Sequence, residues 1–223
     1  MPDQTSTTAP SPPGSTRWAG VPAAERRTER RRLLLDAALE LFGTEGDAAT
    51  SVRAVCKKAQ LNARYFYENF ADRDELLGAL YDDQATELFV EIAAALDAAG
   101  DDLAAGTRAG IETVFRFVAA DPRRAKVLYT EALANEALAR RRHAAMNALI
   151  TAISQPETIG AAKTPAIESI DVTAASMFTG GVNEILMGWI DGRIDVELDQ
   201  LVDDAVRLSL AVFDTASGRR PDA

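Results

Sequence analysis

Residues 50–77 read TSVRAVCKKAQLNARYFYENFADRDELL, and the spacing within them decides the architecture. Val52, Val55, Cys56 and Ala59 recur at i, i+3, i+4 and i+7, one stripe of a short helix that Thr50 or Ser51 is suited to cap. Gln60, Leu61 and Asn62 interrupt it, and Asn62 is placed to N-cap a second short helix over 63–70. There Phe66 and Phe70 share one face, while Arg64, Tyr65 and Glu68 point elsewhere. Two short helices, a tight turn and a buried apolar seam make a helix-turn-helix.

Upstream, Leu34, Ala38, Leu41 and Phe42 form one helical stripe, preceded by the basic cluster Arg26, Arg27, Arg30, Arg31 and Arg32 and closed by Gly46. Residues 1–22 are rich in Pro, Ser, Thr and Gly without periodicity and read as a disordered tail, as do 218–223. Downstream, helical patterns recur over 74–96, 102–120, 123–132, 135–153, 168–190 and 196–214, with one long loop at 154–167. No segment alternates like a strand. The expected fold is all-α, about nine helices, with a helix-turn-helix unit at 23–73 and a second helical domain at 74–217.

Charge divides along the same line. The formal charge is −10, yet residues 17–72 carry ten Lys/Arg against eight Asp/Glu, and residues 73–223 carry fourteen against twenty-five. A basic end beside an acidic remainder fits a protein that meets polyanions with one end only. No apolar run spans a bilayer, and the N-terminal stretch lacks the apolar segment of a secretion signal, so a cytoplasmic location without membrane association is expected. The single cysteine, Cys56, excludes an intrachain disulfide and falls on the inward stripe as a small core filler.

Residues 31–81 resemble the DNA-binding domain of the tetracycline-repressor (TetR) family. The resemblance is carried by LLDAALELF from Leu34, by Gly46, and by the 50–77 stretch with its Tyr67-x-x-Phe70 ending and Asp74-Glu75-Leu76 helix start. Beyond that segment, only the arrangement of helices and a penultimate helix ending near Trp189 are similar. Two positions depart from the family pattern. Gln60 stands where the turn commonly has glycine, so the turn is either tolerant of a side chain or strained. Arg73 stands where lysine is common, which keeps the charge and adds a fork that matches phosphate.

The resemblance implies a transcriptional regulator, by default a repressor, that binds a palindromic operator in double-stranded DNA as a homodimer. It places Ala63, Arg64 and Tyr65 against base edges, where Arg64 can donate two hydrogen bonds to guanine. Tyr67 and Asn69 become phosphate anchors, with Asn62 at the same helix start and Thr50 or Ser51, Lys57 and Arg73 at the periphery. Tyr67 equally suits a core aromatic with a wet hydroxyl. Arg26, Arg27 and Arg30 suit either an arm in a minor groove or a solvated helix end.

For the second domain, the resemblance implies dimerisation through the last two helices. Gly180, Gly181 and the stripe Leu198, Leu201, Ala205, Leu208 and Val212 are compatible with that. It also implies a cavity for a small hydrophobic effector, with Phe89, Phe115, Tyr129, Met146, Asn183 and Met187 as candidate lining residues. Such a ligand acts only through differential affinity for two spacings of the reading helices.

Enzyme chemistry has no foothold: there is no P-loop, G-x-G-x-x-G, G-x-S-x-G or H-E-x-x-H. The single histidine, His143, stands among Arg140, Arg141 and Arg142 and reads as a surface residue. One His and one Cys are a poor start for a zinc site, so neither metal nor other cofactor is expected. A helical scaffold that has lost DNA binding is the remaining alternative, and the intact Arg64, Tyr65, Tyr67 and Arg73 argue against it.

Overall fold

In the computed structural model, which describes residues 22–46, 48, 50–130, 136–153 and 165–216, short polar side chains open the early helices. After α1 (Ala23–Glu45), Ser51 caps α2 (Val52–Lys58) by accepting from the Ala54 amide, and Asn62 caps α3 (Ala63–Tyr67) by accepting from Tyr65. Asp72 opens α4 (Arg73–Ala99), Asp102 opens α5 (Leu103–Ala120) and Asp121 opens α6 (Pro122–Ala125), each accepting from an amide of the first turn. Each cap satisfies one of the donors that a helix start leaves without a partner. A π-helical turn, Lys126–Thr130, continues α6, and α7 (Glu136–Ile153), α8 (Pro165–Ile190) and α9 (Leu198–Ala216) follow. Among the described residues there is no strand, as the sequence pattern requires.

Several boundaries differ from expectation. The helix expected over 63–70 stops at Tyr67, because Asn69 folds back and donates from Nδ2 to the Tyr65 carbonyl at 2.8 Å. Of the helix expected over 123–132, residues 131 and 132 lie outside the described residues, and the described part is the end of α6 and then the π turn. Helix α8 is already running at Pro165, inside the expected loop, since proline is tolerated in a first turn. The rest of that loop, the tail 1–22 apart from Pro22, and the tail 218–223 lie outside the described residues.

The chain packs as a series of helix pairs: α1 on α2, α3, α4 and α6, then α4 on α5 and α7, and α9 on α5 and α8. Phe42, Phe66 and Phe70 fill the space between α1 and α3, and Leu76, Leu77 and Leu80 of α4 continue the same apolar cluster toward Ile111, Phe115, Leu186 and Leu201. Burying each such side chain stabilises by about 1.5–3 kcal/mol. On α9 the inward residues are Leu201, Val202, Ala205, Val206, Ser209 and Phe213, whereas Leu208 of the expected stripe faces solvent. No helix among the described residues is long and apolar enough to cross a membrane.

Candidate nucleic-acid interface and internal cavity

Helix α3 is only five residues long, too short to stand without tertiary support. Phe66 supplies that support: it is fully buried, edge-on to Tyr67 and tilted against Phe70 with ring centroids 5.3 and 5.7 Å away. Anchoring Phe66 inward turns Ala63, Arg64 and Tyr67 outward. The Arg64 side chain is 83% exposed and Tyr67 is 61% exposed, so Tyr67 is not the core aromatic that its type allows.

Charged groups hold this face in place from behind. Arg30 of α1 lies over the Tyr65 ring at 4.6 Å and pairs with Glu68 at 3.5 Å. Arg31 lies over the Phe70 ring at 4.5 Å and donates to the Asn69 carbonyl at 3.4 Å. Arg26, Arg27 and Arg30 are therefore residues of α1, not an extended arm, and Arg30 is a buttress of α3. Glu68, to which the sequence reading attached no role, joins Arg30 and Arg64. Its i+4 spacing from Arg64 is the signal that marks the pair.

Around α3 the candidate anchors separate into two groups. Ser51, Lys57, Asn62 and Ala63 are exposed, although Ser51 and Asn62 also serve as caps. Thr50 differs: it is 0% exposed and its hydroxyl donates to the Gly46 carbonyl at 2.9 Å, so its side chain is not presented at the surface. Arg73 donates from Nε to the Thr50 carbonyl at 2.6 Å, tying the loop before α2 to the start of α4. Asn69 is half-buried and occupied with the Tyr65 carbonyl.

The turn between α2 and α3 shows how Gln60 is accommodated. Its φ is +55°, the left-handed region, and among the described non-glycine residues it stands alone there. The Leu61 amide donates to Cys56 O at 3.0 Å and the Gln60 amide to Lys57 O at 3.3 Å, the paired bonds of a Schellman helix end. Cys56 is buried beneath this turn, and burial pushes its thiol pKa up, consistent with a core filler rather than a reactive thiol.

Behind the first three helices, α4, α5, α7 and α8 enclose a cavity of about 520 Å³. Phe89, Tyr129, Met146 and Asn183 line it; Phe115 is buried in the core and Met187 lies outside the lining. Polar residues absent from the sequence candidates line it too, among them Tyr81, Arg142 and Thr179. Arg142 was legible in principle, because it stands four residues from both Leu138 and Met146 on the stripe that continues to Leu149 and Ile153. Burial pushes the Tyr81 hydroxyl up to about 12, and pushes Tyr129 up as well, in both cases against the opposing pull of the Arg142 charge. Both phenols therefore keep their protons at neutral pH. His143, next along the helix, is exposed.

The π turn that gives the cavity Leu128 and Tyr129 continues from α6, and α6 packs on the first helix. A Cβ added to Gly43 of α1 would lie 2.4 Å from Arg123 Cβ and 2.9 Å from its Cα, so glycine is what allows α6 to seat there. Arg123 is fixed by two bonds to Asp121, at 2.8 and 2.7 Å, and Lys126 donates to the Thr44 carbonyl at 3.3 Å.

Known proteins match both halves of this arrangement to different depths. Residues 34–80 match the family described as bacterial regulatory proteins, tetR family. An HTH-type transcriptional repressor of Mycobacterium tuberculosis is 36% identical over 73 residues, which cover 30% of this chain and 39% of that protein. The match thus spans about two fifths of that relative's length. Among solved structures, the fatty acid degradation regulator FadR of Bacillus halodurans superposes with a TM-score of 0.67 at 19% identity, covering 81% of this chain and 94% of that one. A TetR-like transcriptional regulator of Rhodococcus sp. gives 0.66 at 22% identity, covering 81% and 93%. At those identities the likeness extends the shared fold across the cavity-bearing helices. The helix-turn-helix segment, residues 34–80, is thus similar to that of the tetR family of bacterial regulatory proteins.

Proposed function

We propose that the chain is a DNA-binding transcriptional regulator, acting as a repressor, that binds a palindromic operator as a dimer and is released by a small hydrophobic ligand. The observation that carries the reading is the outward face of α3, where Arg64 and Tyr67 stand exposed on a helix locked from beneath by Phe66 and from behind by Arg30. A short, rigidly docked helix with exposed polar side chains is what entry into a major groove requires. Arg64 reads a guanine edge and Tyr67 a phosphate, with Ser51, Lys57 and Asn62 at the margins of the footprint.

Dimerisation is assigned to α8 and α9. On α8, Met177, Gly180 and Gly181 share an exposed face, and Cβ atoms added to the two glycines meet nothing within 4 Å. Leu208 and Ala211 expose apolar surface on α9. An apolar face with small residues favours close approach of a second copy. The ligand's signal leaves the cavity through α6 and its contact with α1 at Gly43, changing the distance between the two copies of α3.

The test is selection of fragmented genomic DNA by the purified protein, followed by sequencing. Enrichment of a near-palindrome with half-sites about one helical turn, or a multiple of it, apart is expected. Absence of enrichment at low salt, from protein shown to be folded, rejects the reading in favour of a scaffold without DNA binding.

A further inference from the structure

Three consecutive arginines on α7 meet different fates. Arg140 pairs with Glu136 and Arg141 with Asp82, both at the surface. Arg142 turns into the cavity instead. One of its terminal nitrogens donates to Asn183 Oδ1 at 3.2 Å, its Nε is buried with no hydrogen-bond partner, and it has no carboxylate partner among the described residues. Leaving a guanidinium half-buried beside a neutral amide is costly unless an anion completes the site.

A second orphan faces the same space. Thr179, on the cavity wall, is only 4% exposed, and its hydroxyl has no hydrogen-bond partner. It stands one helical turn before Asn183 on α8, so the two side chains are neighbours on one face. Tyr81 and Tyr129 feel the Arg142 charge and retain their protons, which adds two hydroxyl donors to the same end. The remainder of the lining along α4 is apolar: Leu88, Phe89, Ile92 and Leu96. From Tyr81 to Leu96 the helix rises about 22 Å, so the cavity is long as well as apolar. At its far end stand Asp101 and Asp102, carboxylates that disfavour a second anion there.

We propose that the cavity takes an elongated apolar molecule bearing one carboxylate, seated with its head on Arg142 and Thr179 and its tail along α4. The assignment rests on the reading of this cavity as the effector site and adds the chemistry of its ligand. A carboxylate accepts from the Arg142 fork and from the hydroxyls at once, satisfying both orphans.

Titration calorimetry of the full chain with dodecanoate, dodecanol and dodecylamine tests this. Dodecanoate is expected to bind at least about tenfold more tightly than the other two, the scale of a charge-assisted hydrogen bond. Arg142→Met should remove that preference while leaving dodecanol affinity within about twofold. Should Arg142→Met fail to fold, Thr179→Val serves in its place, expected to weaken dodecanoate severalfold and spare dodecanol. Equal binding of acid and alcohol, or tightest binding of the amine, overturns the head-group assignment and leaves the effector cavity standing. Binding of none of the three overturns both. Tight, Arg142-dependent dodecanoate binding that leaves DNA affinity unchanged supports the assignment and counts against the release mechanism alone.

Discussion

Arg64 and Glu68 face each other across one turn at the end of α3, with Arg64 Nε donating to Glu68 Oε1 at 3.0 Å. The bond uses the inner nitrogen of the guanidinium and not its terminal pair. In this arrangement the carboxylate orients the group proposed to read the base, and Arg30, on the other oxygen of Glu68, orients the carboxylate.

Arg64→Ala should therefore cost about 1–3 kcal/mol of discrimination at one operator position, with affinity for unrelated DNA reduced far less. Tyr67→Phe should weaken all sequences to a similar extent, because a phosphate contact carries no base information. Binding of each variant to a panel of single-base operator variants separates the two effects. An unchanged preference in Arg64→Ala would place the base-reading residues elsewhere.

Gln60 is strained by its positive φ, and relief is available. Gln60→Gly removes a left-handed penalty of about 1–2 kcal/mol while adding about 0.5–1 kcal/mol of chain entropy. A net gain in urea stability is expected, whereas Gln60→Val should lose stability, since a branched side chain tolerates that backbone poorly. A loss in Gln60→Gly would mean that the glutamine side chain contributes an interaction outweighing the strain.

At Gly43 the expected sign is the opposite. Gly43→Ala sets a methyl against the backbone of Arg123, and overpacking of this kind costs about 1–3 kcal/mol. The displaced α6 should also alter the ligand concentration needed for DNA release. Operator titrations with and without ligand read this coupling, which would remain at its wild-type value if the signal travelled by another route.

Leu208→Glu addresses the assembly. The side chain is exposed in the single chain, so its replacement should leave the protomer's melting temperature nearly unchanged. Light scattering should then report monomers, and operator affinity should fall with them. Persistent dimers would move the interface away from α8 and α9.

How much of this was legible depends on what kind of signal each feature leaves. Helix starts are written in side chains, so Ser51 and Asn62 announce α2 and α3 directly. The π turn leaves no such mark, because it is a change in winding within an otherwise helical run. Cavity residues are harder still. Phe115 and Phe89 are the same residue type on packed helices, and only the placement of neighbouring helices decides that one fills the core and the other meets empty space. Arg142 lay hidden in an arginine triplet that reads as solvated surface, although its register matches the apolar stripe of α7. Thr50 illustrates the converse: a polar residue beside a helix start is a natural cap, yet Ser51 takes that role and Thr50 is buried to hold the preceding loop.

The apolar cluster running without interruption from Leu34 in α1 to Val206 in α9 has a thermodynamic consequence. The proposed function divides DNA reading and ligand sensing between ends of the chain, but melting is not divided. With Leu76, Leu77 and Leu80 shared between α1 and the cavity helices, the whole chain should lose structure in one calorimetric transition. Residues 23–73 excised alone would leave the inner face of α1 bare. A ligand that binds in the cavity should then raise the melting temperature of α1, α2 and α3 as well, even though under the proposed function it lowers their affinity for DNA.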